Sequence, residues 1–377
     1  MSMICKYNIQ AFLASPVHIG TGEMYDPFSY VIKGNVFYHF ETAAFLSNLS
    51  SEKTKQFTYI LKNPSRDSIL KSREFIYNNF DADVMKDIII DEIDLSKSSF
   101  PKDYEEKLSD LANKDPRNKA INLLEIEQTY SSGGFPIIPG SSLKGSIRTA
   151  IINQLIEDNN IRVDKGRYSY KKLMRDMDLS YQNDIFDMLK ISDFHKENAG
   201  KWIGYFKNYP KSKMEKSISQ NNQIDVATEV LRPFQVFKGE INIFPKEKRH
   251  QFEKQFNDIT KTKVNIFKCL NRHYLDLFKQ EYNFFKKKNP KSNFFKIIEQ
   301  KNFLEKLESN EYAVLKVGKH SGAEGVTFKD RAIFIKGSKN KDAKYDAKTS
   351  TTTWYFSQKK ELSVPNLLYP LGWIILI

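Results

Sequence analysis

The sequence predicts an α+β protein made of two halves, each carrying a helical insertion, and three observations lead there. The order strand, glycine loop, helix and further strands occurs twice in outline along the chain. Between the strand-like runs lie two long stretches, about 42–130 and 245–310, where apolar residues recur at steps of three and four. At 377 residues and 44.0 kDa the chain also exceeds the usual size of one domain, so 1–220 is expected to form the first half and 221–377 the second.

Lys6 to Ala14 alternates loosely, with Tyr7, Ile9, Ala11 and Leu13 against Lys6, Asn8 and Gln10, as in a half-buried strand. Ser15-Pro16 ends it before Gly20-Thr21-Gly22. Tyr30 to Phe40 reads as a second strand, or a hairpin around Gly34-Asn35. Phe45, Leu46, Leu49, Phe57, Ile60, Leu61, Ile69, Leu70, Phe75, Ile76 and Phe80 then mark helices. Asp91, Glu92 and Asp94 are expected on a solvated or protein-facing side of this insertion rather than around a metal ion. Phe135 to Pro139 is a short strand-like run, after which Ser141 or Ser142 is expected to cap an amphipathic helix from Leu143 to Ile156.

A polar helical stretch follows, then a strand at Ile191 to Phe194 and two β-rich stretches, Ile224 to Leu231 and Phe234 to Phe244, broken by Pro233 and Gly239. Phe252 to Phe285 is a long helical region with one buried stripe and a lysine-rich outer face, ending near Lys286-Lys287-Lys288-Asn289-Pro290. Phe294 to Leu307 adds another helix. Strands return at Tyr312 to Val317, Ala332 to Lys336, Thr351 to Ser357 and Tyr369 to Ile377, with a mobile basic loop expected over Gly337 to Lys348.

Composition narrows the class. Hydrophobic residues at 40%, with 28 Phe and 19 Tyr, describe a chain that folds rather than a disordered one. The longest apolar run, Leu371 to Ile377, falls far short of the ~20 residues of a membrane span, and Met1 to Lys6 lacks a signal peptide's apolar stretch, so a cytoplasmic protein without a membrane partner is expected. Cys5 and Cys269 offer neither a disulfide framework nor a Cys-x-x-Cys zinc pair. A net charge of +13 favours a polyanionic partner, although a lysine-rich composition alone can produce it. Residues 1–41 and 42–130 carry net −1 and −3, whereas 131–240, 241–312 and 313–377 carry +4, +7 and +6, so one side of the molecule is expected to face phosphate.

The sharpest local signal is Ile137-Ile138-Pro139-Gly140-Ser141-Ser142-Leu143-Lys144-Gly145-Ser146-Ile147-Arg148. A strand ends in a Pro-Gly turn that opens a helix, so hydroxyls and free N–H groups gather at the positive end of the helix dipole, with Lys144 and Arg148 four apart on one face. This suits phosphate; a capped helix with surface cations would look the same. It is not a Walker loop, because the Gly-x-x-x-x-Gly-Lys-Ser/Thr spacing is absent. In Gly318 to Thr327, Gly318, Gly322 and Gly325 allow close backbone approach and Lys319 and His320 supply donors, as in a ligand loop or a flexible hairpin. Arg232, before Pro233, is either a phosphate ligand or an ion-pair partner.

The helix-start string resembles the signature of the RAMP superfamily of CRISPR ribonucleoproteins, and Ser15-Pro16-Val17-His18-Ile19-Gly20-Thr21-Gly22 is similar to its N-terminal loop. Tyr25-Asp26-Pro27, Leu231-Arg232-Pro233, Gly318-Lys319-His320-Ser321-Gly322-Ala323-Glu324-Gly325-Val326-Thr327 and Pro370-Leu371-Gly372-Trp373 narrow the resemblance to subunit five of type III-A Csm effector complexes. That resemblance implies RRM-like (ferredoxin-like, Cas-seven-type) cores and a non-catalytic subunit capping the 3′ end of the CRISPR RNA. The implied partners are the complex's backbone and small subunits, the target RNA indirectly, and host RNA-trimming nucleases. RNA contacts are then expected at His18, Gly20, Gly22, Ser141, Ser142, Lys144, Gly145, Arg148, Arg232, Gly318, Lys319 and His320.

An endoribonuclease is the competing class. His18 beside a glycine-rich loop could act as general base on a ribose 2′-OH, as in metal-independent RNA-processing members of the superfamily, or could simply order the loop through a hydrogen bond. Asp26 resembles the aspartate with which backbone subunits cut target RNA, yet Asp-Pro also starts a turn. No His-Asp doublet, His-Glu-x-x-His or paired carboxylates point to a metal nuclease, and no cofactor is expected.

Overall fold

The computed structural model describes residues 4–62, 65–112, 125–163, 169–179, 183–210, 226–244, 250–288, 292–328, 333–334, 345–346, 352–359 and 368–377. The N-terminal alternating run forms β1 (Cys5–Leu13), central in a five-stranded antiparallel sheet. On one side β1 pairs with β12 (Val236–Ile243), which pairs with β9 (Leu189–Ile191); on the other it pairs with β18 (Trp373–Leu376), which pairs with β13 (Ala313–Lys316). Exposed and covered residues alternate through the first part of β1, but Ala11, Phe12 and Leu13 are buried in succession, because the end of the strand is covered on both faces.

Against this sheet pack α5 (Gly140–Asp158) and α8 (Lys263–Lys288), with α7 (Glu253–Thr260), α9 (Asn293–Gln300) and α10 (Phe303–Glu308) around them. Leu143, Ile147, Ile151 and Leu155 of α5 meet Phe267, Leu270, Tyr274 and Phe278 of α8 in one core. The long C-terminal helical region is therefore two helices, parted at Lys261–Thr262.

A six-stranded sheet runs in the order β17 (Leu368–Pro370), β16 (Thr352–Ser357), β10 (Lys201–Pro210), β11 (Val226–Leu231), β6 (Glu127–Thr129) and β2 (Gly20–Met24). Among the described residues its one parallel pair is β11 with β6. Strands from both sides of residue 220 pair in each of these sheets, and the expected division itself falls among residues 211–225, outside the described ones.

The Tyr30 to Phe40 run is a hairpin, β3 (Tyr30–Lys33) and β4 (Val36–Phe40), turning at Gly34-Asn35 and extended by β5 (Ile89–Asp94). Around it pack α1 (Thr42–Ser47), α2 (Ser51–Leu61), α3 (Arg66–Asn79) and α4 (Phe100–Ala112), so the first insertion is mixed rather than wholly helical. Two small hairpins, β7 (Ser131–Ser132) with β8 (Phe135–Pro136) and β14 (Ile333–Phe334) with β15 (Tyr345–Asp346), two short helices, α6 (Ser169–Asp176) and α11 (Gly322–Gly325), and two 3-10 turns at Lys86–Ile88 and Ile185–Met188 complete the described elements. Most of Gly337 to Lys348 lies outside the described residues.

Three expectations change. Pro139, not Ser141 or Ser142, is the N-cap of α5, and no side-chain hydroxyl caps it. Tyr369 to Ile377 is not one strand: after β17 the chain turns at Leu371-Gly372 and β18 enters the other sheet. The run at Ile191 to Phe194 stops being a ladder strand at Ile191, after which Phe194 and His195 make isolated bridges to Ile138 and Lys238.

Candidate functional site

The segment between β1 and β2 is stitched down by backbone bonds from three parts of the chain. Val17 and Leu231 exchange bonds of 3.3 and 2.8 Å, the Gly372 N–H donates to the Pro16 carbonyl (2.9 Å), and the Trp373 N–H donates to Ser15 Oγ (2.8 Å). His18 is thereby turned inward. It is 2% exposed, lies edge-on to Phe206, and bonds through Nδ1 to the Glu229 carbonyl oxygen at 2.7 Å. Burial holds its pKa below the ordinary histidine value, so the ring is neutral and Nδ1 carries the proton it donates.

Gly318 brings the second glycine loop onto the first. Its φ is +87°, and a Cβ there would stand 2.2 Å from the His18 carbonyl oxygen, so only glycine fits. The next residue, Lys319, donates its N–H to that same carbonyl at 2.9 Å, and its Nζ reaches Glu127 Oε1 at 2.5 Å. His320, with φ +63°, stacks on Trp354 at 3.9 Å and meets the edge of Phe206 at 4.8 Å. Burial, helped by the neighbouring Lys319 charge, lowers its pKa to about 4. His18, Gly20, Gly22, Glu127, Gly318 and Lys319 line one cavity of about 380 Å³. Residues three hundred positions apart in sequence thus share a site.

Beneath the cavity lies a charged network. Glu229, 1% exposed, accepts from the Tyr25 hydroxyl (2.8 Å) and the Thr129 N–H (2.9 Å) and pairs with Lys201 (2.5 Å). Lys201 also pairs with Asp91 of β5, which joins the first insertion to the six-stranded sheet. The carboxylates raise the Lys201 pKa against its burial, which is the largest single influence.

At the start of α5 an internal carboxylate stands where an external anion was expected. The Gly140 N–H donates to Asp193 Oδ1 at 2.8 Å, and a Cβ at Gly140 would lie 2.1 Å from the Ile191 carbonyl oxygen, so glycine lets β9 pass against the helix end. Arg148 pairs with Asp184 at 2.5 Å over the Phe186 ring. Lys144 is half-buried, and its pKa is lowered first by that burial and then by the Lys190 charge. Ser141 and Gly145 are exposed and Ser142 is half-exposed. Ser146 Oγ donates to the Lys316 carbonyl at 2.7 Å, tying this helix start to β13 and so to the Gly318 loop.

Arg232 follows β11, one residue past the Val17 bridge; its N–H donates to the Gly200 carbonyl (2.9 Å), and its exposed side chain passes over Gly200. The twelve expected RNA-contact residues therefore fall in three places: the cavity with His320, the α5 start, and Arg232. Asp26 shapes a turn, its Oδ1 accepting the Phe28 N–H at 2.8 Å. Among the described residues no group of three or more His, Cys, Asp or Glu could hold a metal ion, and no helix is long and apolar enough to cross a membrane. Sequence reasoning missed Glu127, Asp193 and Glu229. A glutamate inside the apolar run Val226–Leu231 was the one available signal, since a charge in a covered strand must be paired.

A family model described as the RAMP superfamily matches residues 13–318. No curated protein matches the sequence. Among solved structures, a chain of a cryo-EM Csm–crRNA–target RNA ternary complex from a type III-A CRISPR-Cas system is similar in fold, with TM-score 0.57, 16% identity, and coverage of 98% of this chain and 99% of that one. The crystal structure of T. onnurineus Csm5 is similar too, with TM-score 0.54, 17% identity, and coverage of 97% and 99%.

Proposed function

The chain belongs to the RAMP superfamily, and from that premise we propose that it is the RNA-binding subunit that caps the 3′ end of the guide RNA in a type III-A CRISPR effector complex. The observation carrying this reading is the convergence of the two glycine loops, His18 to Gly22 and Gly318 to His320, on one cavity in a fold shared with Csm subunits. Glycine-lined backbone allows a single strand to approach closely without base readout, which an end-capping subunit needs. The α5 start extends the surface: Ser141, Ser142 and Gly145 offer hydroxyl and backbone contacts, and Lys144 adds a half-buried cation that feels the charges of Lys190, Asp184 and Asp187. Arg232 supplies a further exposed cation. Guide RNA, the repeated backbone subunits and the small subunits are the partners of this reading, with trimming nucleases acting on the RNA beyond it.

The reading is non-catalytic. His18 is 2% exposed with Nδ1 engaged by the Glu229 carbonyl, and Asp26 Oδ1 accepts the Phe28 N–H in its turn. The test is co-purification of the assembly with and without this chain, followed by sequencing of the guide 3′ ends. Uniform ends with the chain and scattered or shortened ends without it are expected. Unchanged ends would refute the capping role, and RNA cleavage by the purified chain that is lost in His18→Ala or Asp26→Asn would support an endoribonuclease instead.

A further inference from the structure

Two hydrogen-bond acceptors face each other at the floor of the cavity with no donor between them. His18 Nδ1 donates to the Glu229 carbonyl, so Nε2 of the neutral ring has only a lone pair to offer. Glu127 uses Oε1 for Lys319 and leaves Oε2 unbonded, 3.7 Å from His18 Nε2. Both atoms are buried and neither has a hydrogen-bond partner. Buried polar atoms are nearly always paired, so this pair marks a place where something else supplies the hydrogens.

The chemistry of that group follows from its surroundings. It must donate two hydrogen bonds, one to each acceptor. It must also carry no negative charge, because Glu23 and Glu127 line the cavity against the single cation Lys319, and Lys319 is already neutralised by Glu127. A phosphate fails on both counts. An internal nucleotide offers one hydroxyl, since its 3′ oxygen is esterified; the ribose at a free 3′ end offers two adjacent ones. Gly20 covers the place, and a Cβ there would stand 3.0 Å from His18 Nε2, so its lack of a side chain keeps the approach clear. Gly20 belongs to β2, an exposed edge strand paired on one side only.

We propose that this cavity receives the unesterified 2′,3′-diol of the RNA's terminal ribose, one hydroxyl donating to His18 Nε2 and the other to Glu127 Oε2. The proposal rests on the 3′-capping reading and adds to it a chemical criterion: the site accepts a finished hydroxyl end and rejects a phosphorylated one. The test is equilibrium binding of the purified full chain to short single-stranded RNAs of one sequence ending in the diol, in a 3′-phosphate, or in a 2′,3′-dideoxyribose. The diol end is expected to bind about tenfold tighter than either other end, as the loss of a buried hydrogen bond implies. In Glu127→Gln the new amide can donate to His18 Nε2 directly, so that preference is expected to vanish while RNA is still bound. Equal affinity for all three ends in the unaltered protein would mean that a resident water fills the place, overturning the diol site and leaving the RNA-binding reading intact. Failure to bind any of the three would overturn both.

Discussion

Lys144 and Arg148 stand one helical turn apart on α5 and have different partners, so they are expected to respond differently to substitution. Lys144 is half-buried, its pKa lowered first by that burial and then by the Lys190 charge, with Asp184 and Asp187 acting the other way. Lys144→Ala is expected to leave the melting temperature unchanged and to reduce the log–log salt slope of RNA binding by about 0.7–0.9, checked by titration at several salt concentrations. Arg148→Ala removes the ion pair with Asp184 Oδ2, while Asp184 Oδ1 still accepts the Phe186 N–H, and takes the guanidinium off the Phe186 ring, so a stability loss of about 1–3 kcal/mol is expected in urea unfolding. The two half-buried histidines His273 and His320, both held near pKa about 4 chiefly by desolvation, make a second prediction. The folded state keeps them neutral while the unfolded chain takes up protons near pH 6.5, so their contribution is complete above about 6.5 and is lost as pH falls toward 4. Melting temperature should drop through that window, and His273→Gln should shallow the drop. At this scale the sequence pointed to His18, Gly318 and Lys319 through their glycine neighbours, but not to Glu127 or Asp193. A carboxylate's role there depends on which distant backbone or cation it meets, and spacing carries no trace of that.

Apolar periods and apolar runs made most elements legible, the fully buried β13 and β18 included, whereas β10 and β2 escaped. β1, β12 and α8 show their periods, whereas β10 does not, because residues 203–207 are buried in succession. β2 escapes for the opposite reason, being exposed along its whole length. The start of α5 is a case where the motif was visible and its wiring was not: Asp193 of a neighbouring segment holds the Gly140 N–H. Gly140→Ala should cost roughly 1–3 kcal/mol by forcing the helix end off β9, and Asp193→Ala about 0.5–2 kcal/mol as a lost cap, both read from denaturant midpoints. The first insertion, 42–130, carries net −3 and 241–312 carries +7, so RNA crosslinks are expected to avoid the former and to fall near the latter. Part of that positive face is spoken for, since Lys279 and Lys286 pair with Glu308 and Glu299, so crosslinks are expected to favour its other cations. Crosslinks concentrated in 42–130 would contradict the assignment of faces.

Across the whole molecule the sheets are shared between early and late sequence. β1 lies between β12 and β18, and Ser15 holds the Trp373 N–H across 358 positions of chain. During synthesis at roughly 5–20 residues per second, β1 therefore waits about 20–70 s before the strand on its β18 side exists. Over that interval the segment holding Ile9, Phe12 and Leu13, all buried in the finished fold, lacks half of its cover. Loop closure over such a distance is slow, so the nascent chain offers an apolar, hydrogen-bond-hungry edge to whatever is nearby. The cavity inherits the delay, because its two glycine loops meet only when β1 and β13 are joined through β18. A chain that stops short of Trp373 therefore lacks the strand through which β1 and β13, and with them the two glycine loops, are joined.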